Sequence, residues 1–67
     1  HMRRADVPAR LKQKVANGCK LSRKAVKLSA DMAEGDVTRV YCEDQFWGIA
    51  ALTGDELTWR ALIPPEA

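Results

Sequence analysis

The stretch from Val37 to Ile63, "VTRVYCEDQFWGIAALTGDELTWRALI", decides the fold. Three runs rich in β-branched and aromatic residues, "VTRVYC", "FWGIAAL" and "LTWRALI", are separated by the short polar links "EDQ" and "TGDE". Links of that length join antiparallel neighbours, so the stretch predicts a three-strand meander. Pro64-Pro65 ends the last run, because proline cannot donate to a ladder. Gly48 interrupts an apolar strand and predicts a bend or a close backbone approach. Phe46 and Trp47 are neighbours on one strand and point to opposite faces. Phe46 and at least one tryptophan are expected in the core; an exposed Trp47 would be a stacking surface or an interface with another domain.

Upstream of the meander, "SADMAEGD" is a polar connection closing on the turn signal Gly35-Asp36. Before it, "CKLSRKAVKL" predicts a strand whose apolar positions slip phase between Leu21 and Val26, which calls for a bulge or bend around Arg23 to Ala25. The opening "ADVPARLKQKVANG" predicts one short helix. Asp6 is expected to cap it, Pro8 to occupy its first turn, and Gly18 to end it in the left-handed conformation. Val7, Leu11 and Val15 form its narrow apolar stripe, while Arg10, Gln13, Lys14 and Asn17 share another face. Helix, strand and meander together predict a mainly β, α+β domain: a small curled sheet or partly closed barrel with the helix over one opening.

The charge is distributed unevenly. Residues 1–30 carry nine Lys or Arg against Asp6 alone, a balance of +8. Residues 31–67 carry Arg39 and Arg60 against eight acids, a balance of −6, so the net charge of +2 conceals the split. Between Arg10 and Lys27 lie seven cations and no acid. Such asymmetry fits a nucleic-acid or anionic-membrane partner. It equally fits a dipolar domain whose halves are merely solvated, and charge alone does not separate the two.

A chain of 67 residues has room for one domain with a modest core, which disfavours an enzyme with a deep, dry pocket. At 46% hydrophobic residues it can still build that core. His1-Met2 reads as a cloning remnant ahead of a single domain over residues 3–67, so the lone histidine is given no role. Cys19 and Cys42 read as reduced thiols of a cytoplasmic protein, with a Cys19–Cys42 bridge as the alternative. Two cysteines without a credible histidine cannot furnish a four-ligand zinc site, and neither metal nor cofactor is expected. No apolar run approaches the roughly 20 residues of a membrane span.

Val37 to Tyr41, the acidic turn Glu43-Asp44, then Phe46, Gly48 and Ile49, Gly54 and Leu57, and finally Arg60 and Leu62 follow one another in an order and spacing that resembles the C-terminal domain of bacterial tRNA pseudouridine synthase B. Val15-Ala16-Asn17-Gly18, with Leu21 opening the next strand, matches its helix end, and the resemblance spans roughly residues 7–64. Ala50 replaces a glycine often found there, and "TWRAL" replaces a more basic ending. The resemblance implies a PUA-type RNA-binding pseudo-barrel whose RNA-facing surface is the first helix, the glycine after it and the adjacent strand.

On this chain that surface is Arg10, Gln13, Lys14, Asn17, Gly18, Lys20, Arg23, Lys24 and Lys27. The cations would neutralise phosphates and release counterions. Gly18 would bring its N–H close to a phosphate, while Gln13 and Asn17 would reach ribose hydroxyls. The resemblance also implies that the chain, inactive alone, helps a parent isomerase hold tRNA as a monomeric accessory domain beside a separate catalytic domain. Glu43-Asp44 and Asp55-Glu56 are adjacent pairs at turns and lack the partner across a cleft that acid–base work needs. The alternative is a protein-interaction barrel that docks an acidic partner or a neighbouring domain through an apolar patch such as Trp47.

Overall fold

The structure is a computed structural model that describes residues 3–65; the assignment of His1-Met2 lies outside them. Strand β1 (Arg3–Val7) leads through a 3-10 turn (Ala9–Leu11) into helix α1 (Lys12–Ala16). Strand β2 (Leu21–Ser22) and a second 3-10 turn (Arg23–Ala25) follow, then the meander β3 (Val37–Cys42), β4 (Gln45–Thr53) and β5 (Glu56–Leu62). The five strands form one mixed sheet in the order β1-β3-β4-β5-β2, curled into a half-barrel. The domain is therefore mainly β with one short helix, the α+β pseudo-barrel class expected from the sequence.

Turn chemistry sets the meander. Glu43 and Asp44 both take positive φ, as the two central residues of a type I′ hairpin must. Gly54 alone does so in the β4–β5 turn, as at the first central position of a type II′ turn. The curl has a local cause. The β3–β4 register shifts at Val40/Tyr41 and the β4–β5 register at Ile49/Ala50, so bulges flank Gly48 on both sides. Bulges bend and overtwist a ladder, and here two of them fold the sheet on itself. At the bend, a Cβ on Gly48 would lie 2.1 Å from the Ala61 carbonyl oxygen, which only glycine avoids.

The first bulge also decides the aromatics. Tyr41 pairs with Phe46 and Val40 with Gly48, leaving Trp47 as the extra residue. Trp47 turns inward and is only 6% exposed, while Phe46 stands half-buried on the outer face, its ring edge-on to Tyr41. The expectation of a core Phe46 is thus corrected, and Trp47 offers no exposed patch. The core comprises Ala5, Val7, Val15, Leu21, Met32, Val40, Cys42, Trp47, Ala50, Leu52 and Leu57, with Leu11, Val26, Leu28, Trp59 and Leu62 packed around it.

Two further expectations are revised. Asp6 does not cap the helix: it lies within β1, an edge strand that runs parallel to β3 from Arg3↔Thr38 to Val7↔Cys42. A ladder with β3 satisfies more backbone groups than one capped turn does, so the strand claims residues 3–7 and the helix begins after Pro8. Val7, Leu11 and Val15 still all pack on the core, Val7 from the strand. The strand expected over residues 19–28 is confined to Leu21–Ser22, and the phase slip after it is met by the bend expected around Arg23 to Ala25, a 3-10 turn capped by the Ser22 hydroxyl, which accepts from the Lys24 N–H. The turn lets Leu21 and Val26, odd and even, both reach the core.

Residues 21–27 have an architectural role that local patterns do not reveal. Leu21 and Ser22 pair with Leu57 and Glu56 at one edge of the sheet. Lys27 then exchanges both backbone hydrogen bonds with Asp6 on β1, at the opposite edge, at 2.9 and 2.8 Å. One covalent strap therefore ties the two open edges together and shields polar groups that edge strands otherwise leave unpaired.

Candidate nucleic-acid interface

The basic stretch is built from the helix that feeds the strap and the strap itself. Arg10 lies in the first 3-10 turn, Gln13 and Lys14 on α1, Asn17 at its C-cap, Lys20 in the loop before β2, Arg23 and Lys24 in the second 3-10 turn, and Lys27 at the bridge to β1. A helix of five residues is far too short to hold itself together in water. Its place comes from Val15, which is fully buried, and from its C-terminal end. There the Gly18 N–H donates to the Val15 carbonyl and the Cys19 N–H to the Lys14 carbonyl, both at 3.0 Å, with Gly18 at φ 69°. This is the paired hydrogen-bond pattern of a Schellman cap.

That cap corrects the role expected for Gly18. Its N–H is already bound to Val15, so it is not a free donor for a phosphate. A Cβ at Gly18 would lie 3.3 Å from the Leu62 Cδ2, so the open space that a ligand would use is taken by β5. Glycine is required here by conformation and packing. Arg23 is likewise engaged within the chain. Its Nη2 donates to the Ala30 carbonyl at 3.1 Å and, at the 3.5 Å limit, to Ser29, and its backbone N–H donates to Asp55 at 2.7 Å. It pins the strap to the 29–30 turn.

The remaining cations divide cleanly. Arg3 pairs with Asp31 at 3.1 Å and reaches Asp36 at 3.9 Å; Arg4 pairs with Asp6 at 2.9 Å and Asp44 at 3.2 Å; Lys12 pairs with Glu43 at 3.3 Å. Arg4 also lies 4.0 Å over the Tyr41 ring. The Asp31 carboxyl is held below the usual carboxylate range, first by the Ser29 hydroxyl and then by Arg3. By contrast Arg10, Lys14, Lys20, Lys24 and Lys27 are exposed and form no ion pair with any other described residue. Five acids thus offset the cations of β1 and the start of α1, and leave the stretch from Lys14 to Lys27 without an acidic partner.

No family model and no curated protein matches this chain. Exposed cationic groups distributed along the helix, the loop after it and the strap can each meet a phosphate, in a manner blind to base identity. Gln13 and Asn17 are exposed on the same short helix and can donate to or accept from sugar hydroxyls. Among the described residues no helix is long and apolar enough to cross a membrane, and there is no cluster of metal-binding side chains. Both cysteines are free, Cys19 exposed and Cys42 buried. Sequence reasoning missed two residues that shape the site, Trp59 and Leu62. Both act from β5, far along the chain, and no local pattern signals such contacts.

Proposed function

We propose that the chain is an RNA-binding accessory module that helps a tRNA pseudouridine synthase hold its tRNA through backbone and shape contacts. In this reading it works as a cytoplasmic monomer beside a separate catalytic domain that carries out the isomerisation, and it has no catalytic residues of its own. The observation that carries the reading is the unbalanced charge of Arg10, Lys14, Lys20, Lys24 and Lys27, when five nearby acids are already engaged with Arg3, Arg4 and Lys12. A phosphate-binding surface needs cations that no carboxylate has neutralised, and these five cations meet that requirement. The rival reading, a protein-docking barrel, is weakened because its proposed anchor, Trp47, is in the core.

The test is a titration of the isotope-labelled domain with unfractionated tRNA at two salt concentrations, read from its backbone amide shifts. Salt-sensitive shifts concentrated in residues 10–27 support RNA binding by this surface. Silence at low salt, or shifts confined to the outer sheet face around Tyr41 and Phe46, overturns it in favour of a protein partner.

A further inference from the structure

We propose that Trp59 is a positioning residue for the basic interface, acting through the carbonyl of Cys19. This inference rests on the RNA-binding reading above. Trp59 packs against the core from β5, and its indole Nε1–H donates to the Cys19 carbonyl oxygen at 2.9 Å, across 40 residues of chain. Three residues further on, Leu62 closes against the face of Gly18. Between them these two side chains grip the loop that joins α1 to β2.

That grip matters because the short helix is anchored mainly at its start. Leu11 just before it packs on the core, Lys12 pairs with Glu43 and Val15 is fully buried, whereas the end of the helix beyond Val15 is placed by the loop that follows. Beyond the loop, β2 is held to β5 by only two residue pairs. The direction in which Lys14 leaves the helix, relative to Lys20 and Lys24 on the strap, therefore depends on where residues 18–20 are held. Trp59 fixes the middle of that segment with a directional bond. Interaction with a polyanion rewards such preorganisation, since cations already in place lose less freedom on binding.

The Cys19 residue is exposed, so water can replace the indole donor when it is lost. Loss of the bond should then loosen the loop without unfolding the domain. The informative variant is a synthetic chain carrying 3-benzothienylalanine at position 59, which keeps the bicyclic ring and lacks the N–H; Trp59→Phe serves as the recombinant counterpart. Thermal melting, amide hydrogen exchange at residues 18–21 and affinity for unfractionated tRNA at two salt concentrations are measured on each, beside Lys20→Ala.

The expected result for the benzothienyl chain is a nearly unchanged melt, faster exchange at residues 18–21, and tRNA binding weakened about three- to tenfold with the salt dependence retained. Lys20→Ala should instead weaken binding and flatten the salt dependence. Unchanged exchange and affinity in the benzothienyl chain, with Lys20→Ala impaired, overturn the role of Trp59 and leave the RNA-binding reading standing. If Lys20→Ala and the benzothienyl chain both bind as the parent does, or no form binds tRNA, the reading fails and the role of Trp59 fails with it.

Discussion

Gly48 and Ala61 meet so closely where β4 and β5 cross the bend that a methyl group on Gly48 would sit 2.1 Å from the Ala61 carbonyl oxygen. Gly48 also holds φ at 140°, a region that side chains rarely adopt. Both costs fall on backbone that cannot swing away. Gly48→Ala should destabilise the domain by more than about 3 kcal/mol. In so small a core that abolishes the cooperative unfolding transition. Gly54→Ala is the control, since its φ is 63° but nothing lies within 4 Å of the added carbon. It should cost about 1–2 kcal/mol and leave a folded domain. Denaturant unfolding followed by tryptophan fluorescence measures both.

The unpaired cations and the paired ones should behave differently towards RNA. Lys14→Ala, Lys20→Ala and Lys24→Ala are each expected to weaken tRNA binding and to reduce the slope of log affinity against log salt by about 1. Arg3→Ala is expected to leave that slope nearly unchanged, because Asp31 and Asp36 already offset its charge. Filter-binding or fluorescence titrations at several salt concentrations measure the slopes. Equal slopes for all four variants would refute the division.

Arg23 belongs to a third group. Its side chain caps the carbonyls of Ala30 and Ser29, so Arg23→Ala should lower stability by about 1 kcal/mol through lost hydrogen bonds. Its effect on the salt slope should be smaller than that of Lys24→Ala, one residue away. Comparing melting temperature and salt slope for the two variants separates strap-pinning from phosphate contact.

The two thiols should react at different rates. Burial, aided by Glu43, pushes the Cys42 thiol above its ordinary pKa, while Cys19 is exposed. Alkylation of the native domain should label Cys19 first and reach Cys42 only on unfolding. A raised value in the folded state means that Cys42 supports folding below the unfolded thiol pKa of about 8.5 and withdraws that support as pH rises past it. Peptide mass mapping after timed alkylation checks the first expectation. Denaturation of Cys42→Ser beside the parent from neutral to alkaline pH checks the second, because the alkaline loss due to this thiol should vanish in the variant.

Residue by residue, the legible parts of the chain are those governed by local chemistry. The glycine turn at Gly54 and the helix end at Gly18 follow from which residues tolerate positive φ, while the hairpin at Glu43-Asp44 follows from the shortness of its link and forces Glu43 into a conformation it does not favour. Gly48 was readable as a place of close approach, though not its partner Ala61. Three readings needed the third dimension. Asp6 looks like a helix cap until β3 offers it a parallel ladder. Phe46 looks like the core residue of the Phe46-Trp47 pair until a bulge turns Trp47 inward. Gly18 looks like a phosphate-binding glycine until the carbonyl of Val15 and the side chain of Leu62 are found occupying its donor and its open face.

By itself, then, the sequence determined the meander, its turns, the helix end and the separation of charge into a basic and an acidic half. Each depends on backbone preferences and composition within a few residues. Only the tertiary structure decided which cations are left unpaired, how Lys27 and Asp6 join the two edges of the sheet, and what holds the glycine loop. Those depend on which distant segments meet. The curl of the sheet at Gly48 brings them together, and a pattern read along the chain carries no record of that geometry.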